Sequence, residues 1–239
     1  MERDKGVFYC VGVGPGDPEL LTLKAKRVIE RCPVLASPRT GGRRMLALEI
    51  VREALDPAGK LVLPLDFAMT RDERARQKEQ AAAADSVENY LAQGLDVAML
   101  NIGDVSIYAT CGYLQAILQG RGYACVMIPG VPSFCAVAAC LGESLTLRDL
   151  PLHIIPAGAF GTNEALDLPG TKVLMKSGRA MRQTAEAILE RGNAVSAAMV
   201  TDCGLPSQRI CRDPARFAGQ TGYFSTVVIK AAQEERKED

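Results

Sequence analysis

The chain has 239 residues, enough for one large domain or for two α/β domains of roughly 110 to 120 residues that each bury a core. Its 28 Lys and Arg balance 28 Asp and Glu, which argues against nucleic acid or a membrane surface as partner and leaves any polyanion to local arginine clusters. A single histidine, His153, argues against a histidine-based triad or a His-rich metal site.

An apolar run over 7–13 predicts the first strand, and a helical pattern follows over 23–32. Between them lies a loop carrying Gly12, Gly14 and Gly16, the position at which α/β proteins bind cofactors. A phosphate cradle needs consecutive backbone N–H donors and no competing negative charge. Here Pro15 and Pro18 lack an N–H and Asp17 adds a carboxylate, so the loop suits a neutral, zwitterionic or cationic ligand better than a pyrophosphate. The same residues also describe a plain tight turn, with Asp17 or Thr22 capping the following helix.

Strands are then expected over 33–36, 61–64, 96–101 and 124–128, separated by helices over 44–55, 72–93 and 111–120, which predicts a five-stranded parallel sheet. The third helix is rich in Arg, Glu, Gln and Ala and ends at Gly94, so most of its surface is expected to be solvated. Pro129-Gly-Val-Pro-Ser133 precedes a small-residue helix over 134–142 with Ser133 as candidate N-cap. A domain boundary is placed near Pro129, giving domains 1–129 and 130–239.

The second half offers strands over 153–156, 172–176, 195–200, 207–211 and 224–230 and helices over 162–166 and 180–191. Residues 201–208 are short enough to join two strands as a hairpin, so this sheet is expected to be mixed. The charged tail 234–239 has nothing apolar to anchor it and is expected to fray. Eight cysteines without a Cys-x-x-Cys pair read mostly as buried small hydrophobes in a reducing compartment. With no signal-peptide pattern and no run of 18 apolar residues, the expected localisation is cytoplasmic.

Gly103 and Asp104 fall just beyond the buried strand 96–101, where open α/β sheets bind ligands, and Asp104 and Tyr108 are expected to share a cleft with Pro15. Asp104 there accepts a proton or stabilises a cation, or else caps a helix. Arginines and lysines cluster at Arg39, Arg43 and Arg44, at Arg71, Arg74 and Arg76, and at Lys176, Arg179 and Arg182; guanidinium forks suit carboxylates. Arg74 and Arg76 read as a solvated helix face, whereas Arg43 and Arg44 lie in a loop after the second strand, beside Gly41 and Gly42.

The motifs together resemble the tetrapyrrole (corrin and porphyrin) methylases: Val11-Gly-Val-Gly-Pro-Gly-Asp-Pro-Glu-Leu-Leu-Thr-Leu-Lys-Ala25, Asn101-Ile-Gly-Asp104 with Tyr108, and Pro129-Gly-Val-Pro-Ser133 with Ala138-Ala-Cys-Leu-Gly142. The chain departs from the family pattern at Val105, where proline is usual, and at Ala109-Thr110, where Ser-Thr is common. Within the family, Gly103-Asp104-x-x-x-Tyr108, Leu152-x-Ile-Ile-Pro156 and Val173-Leu-Met-Lys176 most resemble the precorrin-2 and cobalt-factor II C20-methyltransferases of cobalamin synthesis.

The resemblance implies a class III methyltransferase fold of two α/β domains, with S-adenosylmethionine in the cleft between them and S-adenosylhomocysteine as product. It implies cofactor contacts at Pro15, Gly103, Asp104, Ile107, Pro132, Ser133, Met175, Lys176, Ala198 and Met199. It further implies Asp104 with Tyr108 as catalytic residues, Arg43, Arg44 and Lys176 on the carboxylates of a tetrapyrrole substrate, no metal ligands, and a homodimer. Other readings stay open: methylation at C11 of precorrin-4, of uroporphyrinogen III or of diphthine, a nucleotide-binding regulatory module, or a scaffold that binds no small molecule.

Overall fold

The computed structural model describes residues 5–39, 44–67, 72–146, 149–157, 162–178, 180–192, 195–220, 222 and 224–231. The chain divides into two compact units, 1–132 and 133–239. Among the described residues no helix is long and apolar enough to cross a membrane.

The first unit alternates strand and helix: β1 (Phe8–Gly12), α1 (Leu23–Arg31), β2 (Val34–Pro38), α2 (Leu46–Ala54), β3 (Leu61–Leu65), α3 (Glu73–Leu91), β4 (Val97–Asn101), α4 (Cys111–Gly120) and β5 (Cys125–Ile128). Strands β1 and β4 are buried at every position, which is what an unbroken apolar run means in a parallel sheet covered on both faces. The five strands are all parallel in the order β3-β2-β4-β1-β5. Phe8 and Cys10, Val34 and Ala36, and Val97 and Met99 share one sheet face and pack under Ala84, Val87 and Leu91 of α3 and Leu114 and Leu118 of α4. Each buried leucine there contributes on the order of 2 kcal/mol. In α3 the buried residues all lie in the second half, and the Arg- and Glu-rich first half is solvated. Asp72 caps that helix through the Arg74 N–H at 3.0 Å.

The strand order makes a switch point. From β1 the chain passes over β4 to reach β2, and from β4 it passes over β1 to reach β5. The two connections leave adjacent strands in opposite directions, so a crevice opens between the carboxyl ends of β1 and β4.

The second unit contains α5 (Ser133–Leu141), β6 (Leu152–Pro156), α6 (Thr162–Leu166), β7 (Thr171–Met175), α7 (Met181–Glu190), β8 (Val195–Thr201), β9 (Arg209–Cys211), α8 (Phe217–Gln220) and β10 (Ser225–Ala231). Its sheet is mixed, in the order β6-β7-β10-β8-β9, with β6 parallel to β7 and all other pairs antiparallel. The expected hairpin joins β8 to β9. Leu174, Met181, Ile188, Met199, Phe217, Val227 and Ile229 form its core. Helix α5 ends on Gly142, whose φ of +70° lets the Glu143 N–H reach back to the Ala138 carbonyl at 3.0 Å. The Glu143 carboxylate then takes Lys230 of β10 and Arg212 after β9, both at 2.6 Å, and fixes the helix end to the sheet.

Sequence periodicity left two 3₁₀ turns and the four-residue α8 unmarked. Each 3₁₀ turn opens with Asp-Pro, and the aspartate accepts the N–H two residues on: Asp17 from Glu19 at 2.8 Å and Asp213 from Ala215 at 3.0 Å. Strand β9 starts two residues later than expected because Gln208 closes the preceding turn by accepting the Gly204 N–H at 2.8 Å. The tail 234–239 lies outside the described residues.

Candidate functional site

Three loops meet at the carboxyl edge of the first sheet, following β1, β4 and β5. The Val13 N–H donates to the Asn101 carbonyl at 2.9 Å. Gly14 and Gly103 then exchange N–H···O bonds of 3.3 and 2.7 Å. Backbone lies against backbone: a Cβ on Gly130 would come within 2.3 Å of the Gly103 carbonyl oxygen, and one on Gly12 within 2.6 Å of the Gly130 nitrogen. Thr22 accepts the Ala25 N–H at 3.1 Å, capping α1, and its hydroxyl also donates to the Pro129 carbonyl at 3.4 Å. Of the two caps offered by the sequence, Thr22 caps α1 and Asp17 holds the 3₁₀ turn.

Asp104 joins two of these loops. Its Oδ1 accepts the Ser106 backbone N–H at 2.8 Å and the Ser106 hydroxyl, and its Oδ2 accepts the Gly130 N–H at 2.9 Å. Only 9% of the residue is exposed. Burial alone would raise its pKa, but the hydrogen bonds from Ser106, Gly130 and the Val105 N–H outweigh it and hold the carboxyl below the usual carboxylate range. Asp104 is therefore an anion at neutral pH. The alternative of a helix cap falls away, because α4 begins at Cys111 with Thr110 at its cap position.

Pro15 and Gly103 are buried, Ile107 and Pro132 are half-buried, and Tyr108 is 42% exposed with a φ of +50°. An aromatic residue in the left-handed region carries backbone strain of about 1 kcal/mol or more, and such strain concentrates at sites that use it. Val105, where proline was expected, is buried in the core beneath the loop. Arg44 grips Glu49 of α2, and Arg43 lies outside the described residues.

In the second unit, Met175 ends β7 and Lys176 follows it, and Ala198 and Met199 lie on β8; β10 pairs with both strands through Val227 and Val228. Lys176 is exposed and has a φ of +56°, and desolvation of its ammonium lowers its pKa. Met199 is 1% exposed, its side chain belongs to the core, and it is paired with Val227 of β10 on one side and Cys211 of β9 on the other, so it presents no open group of its own. Ser133 opens α5 as its first residue. The sequence marks neither Asp202, which follows β8 with a φ of +54°, nor the close approach of Gly12 and Gly130, although both glycines lie in its motifs.

With the Gly14 and Gly103 N–H groups spent on each other and the Gly130 N–H on Asp104, the edge has little left to offer a phosphate. The family model of the Tetrapyrrole (Corrin/Porphyrin) Methylases matches residues 7–218. The chain belongs to this family. Tetrapyrrole methylases take their methyl group from S-adenosylmethionine. A Methanocaldococcus jannaschii protein named "Probable cobalt-precorrin-2 C(20)-methyltransferase" is 34% identical over 170 residues, covering 71% of each chain. A precorrin-4 C(11)-methyltransferase of Sinorhizobium sp is 26% identical over 239 residues, covering 95% of this chain and 84% of that one. The fold matches that of a uroporphyrin-III C-methyl transferase from Thermus thermophilus complexed with S-adenyl homocysteine, with a TM-score of 0.69 at 22% identity over 94% of this chain and 97% of that one.

Proposed function

We propose that the chain methylates C20 of precorrin-2, or of its cobalt form, in cobalamin biosynthesis. The glycine-stitched edge carries this reading. Pro15 brings no N–H, neighbouring donors are already spent, and ionised Asp104 disfavours a phosphate while suiting a sulfonium cation. The 34% identity to the C(20) relative supports the position of methylation. The C(11) relative supports a second reading, in which precorrin-4 is the substrate.

The cofactor supplies an electrophilic methyl group on sulfur. In the first unit we assign its binding to Pro15, Gly103, Asp104, Ile107 and Pro132, and in the second to Ser133, Met175, Lys176 and Ala198, with Met199 backing them from the core. Methyl transfer forms a carbon–carbon bond at C20, breaks the carbon–sulfur bond and releases the C20 proton, leaving S-adenosylhomocysteine. No covalent bond to the protein is needed, so alignment and exclusion of water supply most of the rate, on the order of 7–11 kcal/mol in well-aligned systems. A carboxylate held by the Ser106 N–H and hydroxyl, the Gly130 N–H and the Val105 N–H is a weak base, so Asp104 serves to hold the loops and orient the macrocycle, with Tyr108, four residues on, in support. Arg43, Arg44 and Lys176 meet substrate carboxylates, and the working form is a homodimer.

Calorimetry with S-adenosylhomocysteine, followed by methyl transfer to precorrin-2, cobalt-factor II and precorrin-4, tests this. The expected outcome is tight product binding and methylation at C20. Methylation of precorrin-4 alone would move the reaction to C11, and absence of S-adenosylhomocysteine binding would remove the methylase assignment.

A further inference from the structure

Two arginines at the carboxyl edge of the first sheet already hold carboxylates of their own chain. Arg39 is the first residue past β2; its backbone N–H bonds the Leu65 carbonyl at 2.9 Å, and its Nη1 reaches both oxygens of Asp66 at 3.2 and 3.0 Å. Arg44, two residues before α2, clasps Glu49 through Nε at 3.2 and 3.1 Å and through Nη2 at 2.5 Å. Strand β2 pairs with β4 as far as Ala36 and Met99, so Arg39, three residues past that pair, stands at the same carboxyl edge of the sheet as Gly103 and Asp104. The 3₁₀ turn that continues the Pro15 loop packs against α2.

Both pairs are open to water, with the Asp66 and Arg44 side chains each 70% exposed. Exposed ion pairs add little to stability, so these two are poorly explained as props. Arg44 nonetheless holds its acid through two nitrogens, the fork geometry that recognises a carboxylate, and Arg39 holds both oxygens of its acid through one. We propose that Arg39 and Arg44 are receptors for the carboxylates of the tetrapyrrole, and that Asp66 and Glu49 are built-in stand-ins displaced when substrate arrives. This rests on the tetrapyrrole reading, and adds Arg39 as a binding residue and the two acids as a specificity filter.

Exchange of one carboxylate for another keeps the bonds of each guanidinium, and the displaced acid passes into water. A tethered acid competes at an effective concentration on the order of millimolar. A free monocarboxylate therefore loses to it. A ligand carrying several carboxylates on one rigid frame displaces both acids at once, which selects polycarboxylates.

The test compares wild type with Asp66→Asn, Glu49→Gln, their double variant and Arg39→Gln. Uroporphyrin III binding is followed by fluorescence, with its methyl ester and sodium acetate as comparison probes and S-adenosylhomocysteine affinity as the check on folding. Each stand-in variant is expected to bind the porphyrin acid about two- to fivefold more tightly and to let acetate compete. Arg39→Gln is expected to weaken the acid about tenfold and leave S-adenosylhomocysteine affinity at the wild-type value. Wild-type or weaker affinity in the stand-in variants, or no loss in Arg39→Gln, overturns the inference while leaving the methylase reading intact. Failure of wild type to bind either S-adenosylhomocysteine or the porphyrin overturns that reading, and the inference with it.

Discussion

Asp104 shows how far a side chain's partners decide its chemistry. From its place after β4 it reads equally as a base, an anion or a cap; its bonds to Ser106 and Gly130 make it a fixed anion tying two loops together. In Asp104→Asn the amide offers one acceptor where the carboxylate offers two, and either Ser106 or Gly130 faces an NH₂ group. The cost is about 1–3 kcal/mol. We expect a lower melting temperature and a loss of S-adenosylhomocysteine affinity of about tenfold by calorimetry. Wild-type affinity with abolished turnover would instead give Asp104 a part in proton removal. The same distinction governs Met199: its place in sequence suggests a ligand contact, but its side chain is spent on the core.

The elements were largely legible because each carries its own physical signature. The runs at β1 and β4 are continuously apolar, Thr22 and Asp72 cap their helices, and Gly94 ends α3 with a φ of +81°. What was not legible is what distance in sequence conceals. Nothing near Gly130 says that it will lie against Gly103, and nothing near Arg39 says that Asp66 will meet its guanidinium. The order β3-β2-β4-β1-β5 depends on crossover connections rather than on any strand's composition. The close approach at the edge gives a sharp test. Gly130→Ala forces a methyl group into the Gly103 carbonyl, and we expect it to cost on the order of 3 kcal/mol and to abolish S-adenosylhomocysteine binding. Gly120→Ala, at the end of α4 with nothing within 4 Å of the added carbon, is expected to be neutral or mildly stabilising in the same melting measurement.

The molecule as a whole carries its pH limits in both units. Asp104 in the first and Glu143 in the second have pKa values below the ordinary: hydrogen bonds overcome burial at Asp104, and Lys230 and Arg212 bind Glu143. For an acid whose folded pKa is depressed, the stability gain is complete above the unfolded value, about 4, and is lost as pH falls through the folded value. Buried thiols set the opposite limit. Cys10 is raised by the neighbouring Cys111 and by burial, and burial pushes Cys32 up to about 12, so their unfolded forms ionise first and stability falls above about pH 8.5. Burial lowers the Lys172 pKa and offsets a part of that loss at higher pH. Urea midpoints are expected to form a plateau between about pH 5 and 8 with a decline on either side; stability still rising from pH 8 to 10 would contradict this. The meeting of Gly12, Gly103 and Gly130 has a consequence for any attempt to redirect the enzyme. A wall made of main chain offers no side chain to exchange, so randomising those positions should return glycine and little else. On the proposed carboxylate exchange, changes in substrate choice are to be sought at the corner where β2, β3 and α2 present Arg39, Asp66, Arg44 and Glu49.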